Sequence, residues 1–182
     1  MLRLSPVEDV INAISKGEMV VVVDDADREN EGDLVIAAEF ANPQNINFMI
    51  QEGMGLICLT LTGEKLQKLG IPMQVAENQL ALGTNFAAGF SIKGVPSGGV
   101  SASGRAEVIR TAIRTETDSA SVSMPGFVVP LRAVEGGVLV RRGQTEASVD
   151  LARLAGLTPA GVICEVMGAD GVMLSGDRLE EF

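Results

Sequence analysis

Histidine, tryptophan and tyrosine are all missing from the 182 residues of this chain. The lack of histidine removes the commonest general base and the commonest transition-metal ligand together, so catalysis must rest on carboxylates, Lys, Cys, Ser or a hard metal ion. With only 3% aromatic residues, stacking platforms for nucleic acid are not expected either. The 2 cysteines are too few for a disulfide framework, and Cys58 and Cys164 each sit in an apolar run where a small buried thiol is expected. Positive charge is scarce: 14 Lys and Arg face 24 Asp and Glu, a formal charge of -10 that opposes phosphate backbones and anionic lipid surfaces. No apolar run approaches the roughly 20 residues of a membrane span. Met1-Leu2-Arg3 begins no signal-peptide core. The expectation is a soluble, cytoplasmic chain with neither nucleic acid nor membrane as partner.

What is present is apolar material for one core, with 46% hydrophobic residues and 21 glycines to punctuate it. Residues 1–182 read as a single domain without repeat or linker. Ser5-Pro6-Val7-Glu8 reads as a capping box with Pro at the first helical position, and Val7, Val10, Ile11 and Ile14 follow at helical spacing up to Gly17. Residues 19–23 and 34–38 are short β-branched or apolar runs of the kind found in fully buried strands. Asn42-Pro43 opens a helix through Ile50 that Gly53 should close, residues 56–61 are a strand, and residues 62–70 form a short helix with Leu66 and Leu69 inward. Residues 72–99 are loop-rich with one strand near 86–92. Ser101-Ala102-Ser103 caps a helix that turns Ala106, Val108, Ile109, Ala112 and Ile113 inward, and residues 115–123 form a polar loop. Strands are expected at 128–131, 138–140 and 161–166, with a helix capped by Thr145 between the last two and a turn at Asp170-Gly171. Strands and helices interleave, which predicts an α/β or α+β layered fold.

The most informative segment is Asp24-Asp25-Ala26-Asp27-Arg28-Glu29-Asn30-Glu31-Gly32-Asp33, six carboxylates in ten residues directly after a strand. Such carboxylates repel one another, so the loop is either splayed into water or gathered around a cation. Mg²⁺ suits an all-oxygen set, whereas EF-hand spacing is absent. Loops at the carboxyl ends of buried strands are where α/β proteins place their sites. Val140-Arg141-Arg142-Gly143-Gln144-Thr145-Glu146 sets two guanidinium groups before a helix N-terminus, a pattern that fits either an anion site at Arg141 and Thr145 or plain capping. Glu165 ends an apolar strand, where a half-buried carboxylate can carry a proton, although an edge position facing solvent is the plainer alternative. Gly98-Gly99-Val100-Ser101 is a weaker candidate anion nest. Residue by residue, the pattern points to a metal-assisted reaction on a small phosphorylated metabolite.

At these residues the chain resembles the 3,4-dihydroxy-2-butanone 4-phosphate synthase family of riboflavin biosynthesis. The acidic segment carries the resemblance together with Gly55-Leu56-Ile57-Cys58, Pro130-Leu131-Arg132-Ala133, Glu135-Gly136-Gly137-Val138-Leu139, Thr145-Glu146-Ala147 with Asp150-Leu151, and Pro159-Ala160-Gly161-Val162-Ile163-Cys164-Glu165. The resemblance implies an α/β domain with a mixed sheet covered by helices and a homodimer with sites at the subunit interface. It also implies a lyase that depends on Mg²⁺, with Mn²⁺ as a substitute. The reaction implied takes D-ribulose 5-phosphate to 3,4-dihydroxy-2-butanone 4-phosphate and formate by enediol formation, dehydration, skeletal rearrangement and loss of C4. By position, Glu29 and Gln144 would hold the metal. Arg28, Asp24, Glu31 and Asp33 would line the sugar end, Arg141 and Thr145 would hold the phosphate, and Glu165 would shuttle a proton. Cys58 would stand with Glu165, Asp24, Glu31 and Asp33 among the catalytic groups.

Several positions depart from the family pattern. Gln144 and Phe127 stand where the family has histidines for metal and phosphate, and Gly98 and Gly104 stand where it has Thr and Asp. Gln51-Glu52-Gly53-Met54-Gly55 replaces an Arg-His-Thr-Ser-Gly stretch. A Gln amide oxygen is an acceptable Mg²⁺ ligand but no base. Phe127 should make the phosphate corner apolar, with Arg142 as a compensating cation. Three functions follow: the family reaction itself, an altered rearrangement, dehydration or cleavage of a related sugar phosphate or polyol, or a non-catalytic binding paralogue. The retained carboxylates weigh against the third, since they are electrostatically unfavourable without a cation.

Overall fold

The computed structural model describes residues 3–95 and 99–182. Six strands form one mixed sheet: β1 (Val20–Val23), β2 (Gly32–Ala37), β3 (Cys58–Leu61), β4 (Phe90–Ile92), β5 (Val122–Arg132) and β6 (Ala160–Glu165), in the order β1-β2-β6-β3-β5-β4. Only β3 and β5 run parallel; every other pair is antiparallel. The helices are α1 (Val7–Ser15), α2 (Pro43–Phe48), α3 (Gly63–Lys68), α4 (Ala102–Ile113), α5 (Gln144–Leu154) and α6 (Gly176–Glu181). Successive strand residues point to opposite faces. Leu34, Ile36, Leu59, Leu61, Val162 and Cys164 therefore meet Ile46 and Met49 and the α4 residues Val108, Ile109 and Ala112 on one side. Val35, Ala37, Cys58 and Ile163 meet Ile14, Leu151 and Ala152 from α1 and α5 on the other. The result is the expected mixed sheet with helices on both faces.

Local signals account for much of this. The Asn42 side chain accepts from the Asn45 amide, Thr62 Oγ1 from the Lys65 amide and Ser101 Oγ from the Gly104 amide, so these three caps start α2, α3 and α4. Leu66 and Leu69, and the five predicted apolar positions of α4, are buried. The helix opened by Asn42 ends its α-turns at Phe48 and continues as a π-turn over Met49–Gly53.

Other expectations are corrected. Pro6, not Ser5, occupies the cap position of α1, and no side chain caps it. β1 is not fully buried, because it is the sheet's outer strand and Val21 is exposed. The segment near 86–92 pairs regularly only over Phe90–Ile92, with a register shift between Phe90 and Ser91. Part of the 115–123 loop is a 3₁₀ turn, Ser119–Ser121, and β5 already begins at Val122. Residues 138–140 are no strand: Gly136 (φ +91°) and Gly137 (φ +61°) turn the chain into a 3₁₀ turn, Gly137–Leu139, and Leu139 faces outward. Asp150 Oδ2 accepts from the Val138 amide and replaces a strand partner. Thr145 is not the cap of α5; Gly143 is, and Thr145 lies inside the first turn. α6 had no apolar signal strong enough to be anticipated. The candidate nest at Gly98 falls partly outside the described residues. Among the described residues, no helix is long and apolar enough to cross a membrane.

Candidate active site

The antiparallel register sets Asp33 opposite Glu165 and Cys58 opposite Ile163. With Leu131 of β5, these side chains form the floor of a cavity of about 350 Å³ beside the first turn of α5. Gln144 and Thr145 enter from that turn, Arg28, Glu29 and Glu31 from the β1–β2 connection, and Leu80, Leu82 and Thr84 from the loop before β4. The acidic loop joins two antiparallel strands, so the parallel-sheet argument for its position does not apply. It reaches the site because the β1–β2 hairpin ends beside the N-terminus of α5.

The acidic loop is only partly splayed into water, with Asp25, Ala26, Asp27 and Asn30 exposed and the rest folded in. Asp24 Oδ2 accepts from the Glu29 amide (2.9 Å) and Oδ1 from the Glu31 amide (2.9 Å), which folds the loop back on itself. Arg28 Nη1 then donates to Asp24 Oδ2 (2.7 Å), Glu29 Oε2 (2.5 Å) and Gln144 Oε1 (3.0 Å). The Asp24 carboxylate is 3% exposed and is not among the described residues that line the cavity, so it acts as the loop's internal staple. Burial pushes its pKa up, but the Glu31 and Glu29 amides and Arg28 outweigh that and hold it below the usual carboxylate range. Burial would lower Arg28, but the Asp24 and Glu29 carboxylates outweigh it and hold its pKa above the ordinary value.

Asp33 titrates in the opposite sense. Burial first, then the charges of Glu165, Glu29, Glu31 and Asp24, hold its pKa well above the ordinary value. Glu31 is raised for the same two reasons, burial and its carboxylate neighbours. The cavity thus holds two carboxyls, Asp33 and Glu31, that are both raised, as suits groups that donate protons. Glu165 lies on a central strand, not at an edge, and its Oε2 accepts from the Leu56 amide (2.7 Å). Only glycine fits at Gly55, where a Cβ would stand 2.6 Å from that Oε2. Burial pushes the Cys58 thiol far up, reinforced by Glu165 and Asp33, so it remains a thiol and no thiolate nucleophile. Cys164, on the opposite face, is pushed up to about 12, mainly by burial.

The phosphate end differs from expectation. Arg141 is tied to Glu146 and to the 80–84 loop, while Thr145 is buried with its carbonyl accepting from Ser148 Oγ (2.9 Å). Arg142 points outward to an exposed pair with Asp25. Phe127 is exposed on β5 and is not among the described residues lining the cavity, so it forms no apolar corner there. Leu80, Leu82, Thr84 and Phe86 were not anticipated as site residues; a loop with neither charge run nor periodicity carries no signal for them.

Among the described residues, no group of three or more Cys, Asp or Glu side chains is gathered as a metal cluster. The donor set nevertheless suits a hard divalent ion, because Glu29 Oε2 and Gln144 Oε1 already converge on one cationic atom, Arg28 Nη1. Asp24 Oδ2 is the third oxygen on that atom.

The family model for 3,4-dihydroxy-2-butanone 4-phosphate synthase matches residues 8–182. A 3,4-dihydroxy-2-butanone 4-phosphate synthase of Neisseria meningitidis serogroup B is 45% identical over 182 residues, covering 100% of this chain and 50% of that protein. The chain therefore spans about half the length of this and similar curated relatives. A two-domain 3,4-dihydroxy-2-butanone 4-phosphate synthase from A. baumannii superposes with a TM-score of 0.93 at 45% identity, over 98% of this chain and 52% of that one. A 3,4-dihydroxy-2-butanone 4-phosphate synthase solved in complex with two magnesium ions gives a TM-score of 0.90 at 40% identity, over 96% of this chain and 87% of that one.

Proposed function

Since the chain belongs to the 3,4-dihydroxy-2-butanone 4-phosphate synthase family, we propose that it is a Mg²⁺-dependent carbon–carbon lyase of riboflavin biosynthesis. Its substrate in this reading is D-ribulose 5-phosphate and its products are 3,4-dihydroxy-2-butanone 4-phosphate and formate. The observation that carries the proposal is the convergence of Glu29 and Gln144 oxygens beside the Asp33–Glu165 pair in one cavity.

Glu29 and Gln144 would hold the cation, which when bound polarises substrate oxygens as a Lewis acid and orients them. Glu165, fixed through the Leu56 amide, is placed to take and return a proton at its free Oε1. Asp33, whose pKa burial and the charges around it push well above the ordinary value, is the proton-donating partner for a departing hydroxyl. Glu31, raised by burial and carboxylate neighbours, is a second acid at the sugar end. Arg28, held by Asp24, is the hydrogen-bond donor for substrate hydroxyls there. Cys58 contributes a neutral thiol to the floor. Thr145 faces the phosphate end from the first turn of α5, where free amides favour an anion, and Arg141, before the Gly143 cap, adds positive charge to that side of the cavity. Leu80, Leu82, Leu131 and Ile163 keep the reacting carbons away from bulk water.

The proposal treats residues 1–182 as one cytoplasmic catalytic unit that works as a homodimer, with Mn²⁺ able to replace Mg²⁺. The test is to incubate the purified chain with D-ribulose 5-phosphate and Mg²⁺ and follow formate and the four-carbon phosphate by NMR, with a chelator control. Chelator-sensitive formate is expected. An unchanged spectrum overturns the family reaction and turns the search to related sugar phosphates or a binding role. In the same assay, Gln144→His distinguishes an amide ligand that limits the rate, which the variant relieves, from one that suffices.

A further inference from the structure

Arg141 enters the cavity with nearly all its donors engaged. Nη1 donates to Glu146 Oε2 (2.5 Å), while Nε and Nη2 donate to the Leu82 carbonyl (3.2 and 3.1 Å) and Nη2 also to Thr84 Oγ1 (3.0 Å). Glu146 is 1% exposed, and its other oxygen accepts from the Val134 amide (3.0 Å). A carboxylate so buried needs its cation, so Arg141 is held in place from behind. The line from the Val134 backbone through Glu146 and Arg141 ends on the 80–84 loop.

That loop has little else to hold it. Its own bonds are local: the Leu80 amide to Asn78 Oδ1, the Gly83 amide to the Leu80 carbonyl, and Asn78 Nδ2 to the Thr84 carbonyl. Among the described residues, every hydrogen bond reaching residues 80–84 from beyond 78–86 comes from Arg141. Leu80 and Leu82 are half exposed, yet with Thr84 they form one wall of the cavity. A fork with three acceptors in two directions suits guanidinium and no other side chain.

We infer that Arg141 is a positioning residue that clips the 80–84 loop over the cavity, with Thr84 as its hydroxyl catch, so that the wall facing the substrate's carbon chain depends on this side chain. This rests on the reading of the cavity as a substrate site, but the clip itself can be measured on the substrate-free protein. Hydrogen exchange of the peptide covering 78–86 is compared in the wild-type chain, Thr84→Val, Thr84→Ser and Arg141→Ala. Arg141→Ala exposes the charge of Glu146 and can unfold; Thr84→Val leaves that pair intact and decides the matter alone. In Thr84→Val the 80–84 amides should exchange roughly tenfold to a hundredfold faster, as expected for loss of one hydrogen bond to a charged group, with the rest of the chain unchanged. Thr84→Ser should restore protection.

With D-ribulose 5-phosphate, Thr84→Val should raise KM roughly fivefold and leave kcat within about twofold, the pattern of lost uniform binding. Unchanged exchange at 80–84 in Thr84→Val, or no recovery in Thr84→Ser, overturns the clip. A wild-type chain with no turnover but with the exchange pattern intact counts against the proposed reaction and leaves the clip standing.

Discussion

Arg28 and Arg141 stand at two ends of one cavity, carry the same charge and are each 16% exposed at the side chain, yet they are held in different ways. Arg28 bonds two carboxylates and an amide oxygen through a single nitrogen, and two of those three oxygens belong to the expected metal ligands. Arg141 spreads its fork over one fixed buried carboxylate, a carbonyl and a hydroxyl. An ion can replace the first guanidinium, because what its partners need is positive charge at one point. No ion can replace the second, because its partners need directed donors at several points.

The largest effect should come from Arg141→Ala, which leaves Glu146 buried without a cation and should destabilise the fold by roughly 3–5 kcal/mol. Thermal unfolding checks this, and added Mg²⁺ should recover none of it; recovery would erase the distinction between the two arginines. Glu29→Gln should lower Mg²⁺-dependent formate release at least about 100-fold, since a lost ligand exceeds the effect of its supporting residues. Its melting temperature should stay near that of the wild type, and full activity would remove Glu29 from the metal.

Arg28→Ala should destabilise the metal-free chain by about 1.5–3 kcal/mol through lost charged hydrogen bonds. Here the loss should be reversible: Mn²⁺ titrated into the variant should raise the melting temperature more than in the wild type, by linkage to tighter binding. An equal or smaller rise would show that Arg28 does not stand where the cation binds.

The smallest effects are those of pH. Asp33 has a raised folded pKa, so its contribution to stability is present below the ordinary carboxylate range and is lost as pH rises through the folded value. Asp33→Asn should therefore be more stable than the wild type at neutral pH, with the gap closing in acid. Asp24 has a depressed folded pKa, so its contribution is present above the unfolded value and is lost as pH falls through the folded one. Asp24→Asn should be the less stable chain at neutral pH, again converging in acid. Melting curves from pH 3 to 8 would show whether the two gaps have opposite signs.

The elements legible in the sequence were those with a complete local signal. α4 carried both a Ser101 cap and inward residues at helical spacing, and β2 an apolar run from Leu34 to Ala37. Residues 138–140 misled because three apolar residues suit a strand only where a partner strand exists, and Asp150 holds this segment as a turn. Thr145 looked like a cap because its residue type suits one, but Gly143 takes the extended conformation that the position requires. For the site, the sequence named Arg28, Glu29, Glu31, Asp33, Cys58, Gln144, Thr145 and Glu165, and the sheet register gathers them around one cavity. It did not name Leu80, Leu82 and Thr84, which reach the cavity only because Arg141 holds them from a position 57–59 residues away.

By itself the sequence determined which chemistry is available. The absence of histidine and the dense acidic loop point to oxygen ligands, carboxyl acids and guanidinium forks, with Cys, Lys and Ser as the other available groups, and these follow from residue type. Tertiary structure alone decided which oxygen meets which cation. Whether Asp24 lines the cavity or staples the loop, whether Arg141 waits for an anion or holds a wall, and which of two neighbouring carboxyls keeps its proton depend on burial and on partners far apart in the chain. Hydrogen bonds require contact within a few ångströms and charge interactions weaken with distance and solvent screening, so their outcome is set by packing and not by sequence separation.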